Sequence, residues 1–213
     1  MDEHHIWQNE QKVERAAKAL IKHDFNVLTV STKEQAVTAA LDLIPPTAKV
    51  GVAGTVTIRE LGLMEALEAR GNKIVHNWYP GLSAEESHAL RHEEMVADVL
   101  LCSSNAVTMT GELINIDGAG NRVASMIYGP GKIIVIAGAN KIAPDLNAGL
   151  WRARNVAAPL NAHRLNSQTP CAKTGYCSDC DAPRRICRVV TIIERRPSHS
   201  DLTVILMAEE AGF

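Results

Sequence analysis

KIIVIA, residues 132–137, is the clearest candidate for a buried strand in this chain. An uninterrupted apolar run rich in Ile and Val is typical of a strand that is covered on both faces of a parallel sheet. The turn GPG (residues 129–131) separates it from a predicted helix over residues 121–128, and a second helix is predicted over residues 144–156. A buried strand between two helices indicates an α/β fold.

The same alternation of strand and helix extends along the rest of the chain. Further strands are predicted at residues 27–30, 49–53, 73–75, 98–102, 106–108, 113–116, 189–195 and 202–208. Further helices are predicted at residues 3–22, after Ser31 or Thr32 as the cap, after Thr55 and at residues 84–97. Strands that alternate with helices pair in parallel, because each helix carries the chain back to the starting edge of the sheet. We therefore predict one domain, spanning residues 1–213, with a mostly parallel sheet and helices on both of its faces.

The composition of the chain narrows the classes of function. Its 213 residues carry a formal net charge of −2, which gives no sign of a surface for binding nucleic acid. No apolar run approaches the roughly 18 residues that a membrane span requires, and residues 1–20 do not resemble a signal peptide. We expect a cytoplasmic protein with neither a nucleic-acid partner nor a membrane partner.

Four of the five cysteines lie close together near the end of the chain. Cys171, Cys177, Cys180 and Cys187 have the spacing C-x5-C-x2-C-x6-C, whereas Cys102 stands alone. In a reducing compartment, clustered thiols indicate metal ligands rather than a disulfide framework. We expect residues 166–188 to form a Cys-rich insertion whose four thiolates hold one soft metal centre, and an iron–sulfur cluster of the [4Fe–4S] type is one candidate. Structural zinc on the same four thiolates is the alternative, and four free thiols are the outcome if the sulfurs do not converge.

A first candidate binding site follows the predicted strand at residues 49–53. Gly54, Thr55, Thr57 and Glu60 lie where this strand leads into a helix. Free backbone N–H groups and the helix dipole at such a position favour a carboxylate or a phosphate. The alternative is a capped helix in which Gly54 only allows a tight turn.

A second candidate binding site surrounds the predicted strand at residues 113–116. Its polar and glycine residues are Thr110, Gly111, Glu112, Asn115, Asp117, Gly118, Gly120, Asn121 and Arg122. Backbone donors, an amide and a guanidinium could meet an anion or a carbonyl group here. Glu112 and Asp117 are the candidates for a nucleophile or a general base. The alternative is that Asp117 or Gly120 caps a helix and that Arg122 pairs with a nearby acid.

Four segments together give the chain a family resemblance. They are GTVTIRELG (54–62), SSNAVTMTGELINIDGAGNRVASMIYGPGKIIVIAGANKI (103–142), NVAAPLNAHRL (155–165) and CAKTGYCSDCDAPRRIC (171–187). In their order and density they resemble the LUD (lactate-utilisation) domain family, in its short single-domain form. The resemblance implies a fold related to CoA-transferases and ribose-phosphate isomerase, with ligands near residues 54–60 and 110–122. It also implies a link to lactate oxidation by a multi-subunit iron–sulfur system, although this chain lacks the ferredoxin-like domain of larger members.

The resemblance and the motifs lead to one main hypothesis. The chain would be a redox accessory protein of lactate or 2-hydroxy acid utilisation, with an iron–sulfur cluster and a pocket for a small carboxylate or a phosphorylated small molecule. One alternative is structural zinc with a CoA-transferase-like or isomerase-like activity, in which Glu112 or Asp117 acts. Another is a non-catalytic binding subunit, so the sequence does not decide whether the chain is an enzyme. An oxidoreductase partner subunit and a homo-oligomer are both compatible with these hypotheses.

Overall fold

The central sheet consists of six parallel strands in the computed structural model, which describes residues 2–213. The strands of the chain are β1 (Asn26–Val30), β2 (Lys49–Val52), β3 (Lys73–Val75), β4 (Val99–Cys102), β5 (Ala106–Thr108), β6 (Leu113–Asp117), β7 (Lys132–Gly138), β8 (Ile142–Ala143), β9 (Val189–Ile193) and β10 (Asp201–Met207). The helices are α1 (Glu3–Lys22), α2 (Lys33–Leu43), α3 (Val56–Glu60), α4 (Leu63–Ala69), α5 (Ala84–Met95), α6 (Asn121–Tyr128), α7 (Leu146–Arg152), α8 (Ala158–Arg164) and α9 (Pro170–Thr174). The central sheet has the strand order β1-β10-β7-β4-β2-β3.

Strand β7 lies inside this sheet, as the KIIVIA run predicts. It pairs with β10 on one side and with β4 on the other. Ile133 and Val135 belong to a core cluster that includes Val13 and Leu20 of α1. Ile134 and Ile136 belong to the cluster on the opposite face, with residues of α2, α3 and α4. Both faces of β7 are therefore buried, which is why every position of the run from Ile133 to Ala137 is apolar. The predicted α/β class, with a mostly parallel sheet and helices on both faces, is confirmed.

A second, smaller sheet has the strand order β8-β5-β6-β9. Strand β6 is antiparallel to both β5 and β9, and β5 is parallel to β8. The last two predicted strands therefore belong to different sheets, because β9 joins this second sheet and β10 joins the central one. Helix α7 packs on the second sheet through Leu146 and Leu150.

The helix predicted over residues 144–156 is longer and less regular in the structure. Helix α7 is followed by a π-helical stretch, Ala153–Ala157, and then by α8, so the helical path continues to Arg164. Such π-helical stretches are frequent at functional sites. The capping residue of α2 is Thr32, which forms a capping box with Gln35.

The Cys-rich segment lies between α8 and β9, as the sequence predicts. It contains the short helix α9, and residues 175–188 after it have no regular secondary structure.

The kinship with the CoA-transferase and isomerase folds stays a prediction, as does the single-domain assignment over residues 1–213. Across residues 2–213, none of the helices is long and apolar enough to cross a membrane.

The contact between β2 and α5 depends on the absence of a side chain at Gly51. A methyl group there would lie 2.5 Å from the backbone carbonyl oxygen of Glu94. Because backbone atoms of a packed helix cannot yield easily, we expect Gly51→Ala to lower the free energy of unfolding by about 1–3 kcal/mol. Urea denaturation measures this change. Gly131→Ala is the matched control, since its methyl group would meet open space. Equal stability of the two variants would contradict the packing argument.

Candidate functional site

A cavity of about 480 Å³ lies beyond the carboxyl ends of β2, β4 and β6. Its lining includes Gly54 and Thr55 after β2, and Ser103, Ser104 and Asn105 after β4. The segment from Asp117 to Arg122, after β6, contributes a further wall. Ligands of open α/β sheets bind at this edge, because the loops that follow parallel strands converge there.

Lys141 is the most deeply buried cation of this cavity. It ends a 3₁₀ turn, Ala139–Lys141, that follows β7, and its residue is only 3% exposed. Its Nζ donates to Thr57 Oγ1 at 2.8 Å and to Ser103 Oγ at 3.1 Å. No carboxylate of residues 2–213 lies within ion-pair distance of this ammonium group. Burial, reinforced by the charges of Arg152 and Arg122, lowers the pKa of Lys141 to about 7.

The end of the chain fixes the turn that carries Lys141. Asn140 Nδ2 donates to the Gly212 carbonyl oxygen at 2.8 Å, and the Ala211 N–H donates back to Asn140 Oδ1 at 3.2 Å. Glu60 Oε2 accepts from the Gly212 N–H at 2.6 Å. Glu60 therefore holds the backbone of the last residues. Thr57, also predicted as a ligand-binding residue, is fully buried and accepts the Lys141 bond described above.

Arg122 joins two loops of the cavity floor. Its guanidinium donates to the carbonyl oxygens of Ser103 at 3.0 Å and Ile116 at 2.9 Å. It also donates to Asn105 Oδ1 at 3.1 Å and to Asn115 Oδ1. The donors of this buried cation are thus used by the protein itself. Arg122 therefore holds the floor of the cavity together. Its partner Asn115 is buried and does not line the cavity.

The residues around Asp117 order the beginning of α6. Asp117 Oδ1 accepts from the Gly120 N–H at 3.2 Å, and its Oδ2 accepts from the Val123 N–H at 3.3 Å. Gly120 has a φ of 89°, a left-handed conformation that favours glycine. Gly118 faces the Cys-rich segment, because a methyl group on it would lie 3.0 Å from the Ile186 carbonyl oxygen. Asp117, Gly118 and Asn121 line the cavity.

Seven predicted site residues lie outside the lining of the cavity: Thr57, Glu60, Asn115 and Gly120, described above, and Thr110, Gly111 and Glu112. Thr110, Gly111 and Glu112 form the turn between β5 and β6, and the lining of the cavity contains none of them. Thr110 Oγ1 donates to Glu112 Oε2 at 2.6 Å, and the Gly111 carbonyl oxygen accepts from His23 Nδ1 at 2.8 Å. Strand β6 has five residues and spans about 16 Å, so the two ends of the predicted second site cannot meet. Of the two candidate nucleophiles, only Asp117 lines the cavity.

Several residues that line the cavity were not predicted as site residues from the sequence. Besides Lys141, cationic side chains come from Arg91 on α5, Arg164 on α8 and Arg185 in the Cys-rich segment. Asp117 is the only acidic residue in the lining, so the cavity carries an excess of positive charge. The four cations are far apart in sequence, and only tertiary packing brings them to one place. One of them had a signal in the sequence: Lys141 ends the turn GANK (residues 138–141), which follows a predicted buried strand.

The four clustered cysteines line a second, much smaller cavity of about 20 Å³. Arg154 and Arg185 share this lining. Arg185 donates to Cys187 Sγ at 3.5 Å and to the Cys180 carbonyl oxygen at 2.7 Å, and Cys171 Sγ lies 3.4 Å from Thr169 Oγ1. The thiols are free of disulfides. In this arrangement no group of three or more His, Cys, Asp or Glu side chains from residues 2–213 is placed to hold a metal ion.

The two cavities are neighbours. Arg185 and Ile186 line both of them. The backbone of Ile186 also lies against Gly118, at the wall that follows β6. The Cys-rich segment therefore contributes directly to the larger cavity, rather than standing apart as an appendage.

Glu94, buried beside the cavity, generates a prediction about pH. Burial raises the pKa of its carboxyl to about 7, although Asn121 Nδ2 donates to it at 3.1 Å. Between pH 4.5 and 7 the folded state keeps a proton that the unfolded state releases, so stability falls as the pH rises. We expect Glu94→Gln to gain stability relative to the wild type across this interval, by up to about 3 kcal/mol above pH 7. Denaturation at several pH values measures the difference, and the exposed Glu10→Gln should show none.

The comparisons with known proteins agree with this architecture. A crystal structure of a DUF162 family protein from Deinococcus radiodurans superposes with a TM-score of 0.54 at 16% sequence identity, covering 93% of this chain and 98% of that one. At this identity the likeness shows the fold alone. No curated protein matches the chain significantly. The sequence model of the LUD domain matches residues 13–207, and the chain therefore belongs to the LUD domain family.

Proposed function

We propose that this chain is an accessory protein of 2-hydroxy acid utilisation. In this proposal the larger cavity holds a small 2-hydroxy or 2-oxo carboxylate, and the four clustered cysteines hold an iron–sulfur cluster. The association of the LUD family with lactate utilisation suggests the class of substrate. The carboxylate site rests on geometry, and one observation carries it: the buried Lys141 ammonium has two hydroxyl partners and no carboxylate partner.

An unpaired buried cation is costly, because burial removes water without supplying an opposite charge. A ligand carboxylate in the cavity would offset this cost. Arg91 and Arg164 line the same space, and their charges would attract a carboxylate, although Nε and Nη2 of Arg164 both donate to Asn161 Oδ1. Arg122 is less suited to this role, because its donors already bind protein oxygens.

The remaining lining suits a small polar acid with a short apolar end. Asn77, Asn105 and Asn161 supply amide groups that can bond a hydroxyl or carbonyl oxygen at C2. Val56, Ala157 and Ala158 supply apolar surface for a methyl group. A volume of about 480 Å³ exceeds the needs of lactate, so a phosphorylated small molecule is the competing ligand class.

Calorimetric titration with pyruvate, lactate and inorganic phosphate tests the carboxylate site. We expect saturable binding of a carboxylate, and Lys141→Met should raise the Kd about 10- to 100-fold, because a charge-assisted hydrogen bond contributes about 1.5–3 kcal/mol. Lys132→Met is the matched control, since Lys132 begins the same strand β7 and pairs with Asp201 at the surface. Its Kd should equal that of the wild type.

Two outcomes would contradict the carboxylate site. One is the absence of saturable binding of either acid to the folded wild-type protein. The other is an equal loss of affinity in the Lys141 and Lys132 variants, which would place the binding outside the cavity. Preference for phosphate over both acids would support the phosphorylated ligand class instead.

The four-thiol cavity supports the iron–sulfur part of the proposal. Cys171, Cys177, Cys180 and Cys187 all line one enclosed space, and thiolates are the ligands that such clusters take. Arg154 and Arg185 lie at the same cavity, where their charges would offset those of the cluster. In an iron–sulfur cluster the cysteine sulfurs bind different iron atoms. They can therefore lie farther from one another than four sulfurs that bind a single zinc ion. A volume of about 20 Å³ holds about one water, so a cluster would need more space than this cavity offers.

Metal analysis after anaerobic purification tests the cluster. We expect about four irons per chain and a visible absorption band, both lost in Cys177→Ser. Cys102→Ser is the matched control, because Cys102 is fully buried in the core and its burial raises the pKa of its thiol to about 12. Its iron content should equal that of the wild type. One zinc per chain would support the alternative site, and a metal-free protein after reconstitution would contradict both.

A further inference from the structure

We infer that the amine of Lys141 forms an imine with the C2 carbonyl group of a bound 2-oxo carboxylate. This inference rests on the proposed carboxylate binding and adds a covalent activity to the same site. It separates the two acid classes chemically, because a 2-hydroxy acid has no carbonyl group with which an amine can condense.

The position of Lys141 carries the inference. Of the lysines in residues 2–213, only Lys141 lines the larger cavity. Its Nζ is held by the hydroxyl groups of Thr57 and Ser103, and no carboxylate of residues 2–213 lies within ion-pair distance of it, although the more distant Glu60 favours the charged form. A lysine amine becomes nucleophilic when burial or a neighbouring cation disfavours protonation. Both conditions hold here, because the residue is buried and the charges of Arg152 and Arg122 act on it.

The neighbouring cations can orient the substrate for this reaction. Arg91 and Arg164 line the cavity together with Lys141, and Ser103, which follows β4, accepts a bond from the Lys141 amine. A 2-oxo acid whose carboxylate binds an arginine could direct its C2 carbon toward Nζ. Positioning of this kind makes addition of an amine to a ketone effectively intramolecular.

The step balances without any oxidant or reductant. The Nζ lone pair attacks C2 as the carbonyl π bond breaks, and the carbonyl oxygen takes up a proton to give a carbinolamine. The C–N double bond then forms as the hydroxyl group leaves with a proton as water. One amine and one ketone thus yield one imine and one water. The hydroxyl groups of Thr57 and Ser103, both bonded to Nζ, are placed to relay the protons.

Reductive trapping tests the imine directly. The wild-type protein is incubated with pyruvate at a concentration that saturates the calorimetric titration, cyanoborohydride is added, and the peptides are mapped by mass spectrometry. We expect the Lys141 peptide to gain the mass of pyruvate less one oxygen atom. An excess of lactate should suppress this label by competition. Lys141→Arg should lose the label, whereas Lys132→Arg should retain it.

The outcomes separate this inference from the proposed function. Saturable pyruvate binding without a label on Lys141 would overturn the imine and leave the carboxylate site intact. Binding of lactate without binding of pyruvate would overturn the imine alone, and an absence of binding of both acids would overturn the imine and the carboxylate site together. A label on exposed lysines equal to that on Lys141, or one that lactate does not suppress, would also overturn the inference. The lactate competition uses the wild-type chain and so does not depend on the folding of any variant.

Discussion

The burial of β7 on both faces is the constraint on which the rest of the structure depends. Alternate side chains of this strand enter opposite core clusters, so neither face can accept a polar residue without the cost of burying an unpaired group. The pairing with β4 and β10 fixes the strand in the middle of the sheet. Its carboxyl end is therefore held rigidly, and Lys141 emerges from that end into the larger cavity.

The cavity contains two buried cations in contrasting states. Arg122 binds several protein oxygens and joins the loop after β4 to β6. Lys141 has only two hydroxyl partners. A satisfied cation stabilises its own surroundings, whereas a cation without a countercharge favours the binding of an anion or the loss of its proton. The same cavity therefore combines a cation whose donors bind protein oxygens with a cation that has no carboxylate partner among residues 2–213.

The Cys-rich segment is part of the wall of this cavity. Arg185 contacts the sulfur of Cys187 and also lines the larger cavity, and Ile186 packs against Gly118. Gly118 must be small, because the backbone of Ile186 occupies the space where a side chain would lie. The cavity of the four thiols and the larger cavity thus share Ala158, Arg185 and Ile186 in their linings.

The sequence by itself determined the strand and helix order, the family and the location of the Cys-rich segment, because these follow from local patterns of apolar residues, turns and cysteines. It also singled out Gly54, Thr55 and the residues from Asp117 to Arg122, most of which line the larger cavity. Only the tertiary structure separated Glu112 from Asp117, because the five residues of β6 hold them at opposite ends of a strand. It alone brought Arg91, Lys141 and Arg164 to one cavity. Burial and charge are properties of the packed chain, and no local pattern marks a lysine whose partners lie on other strands.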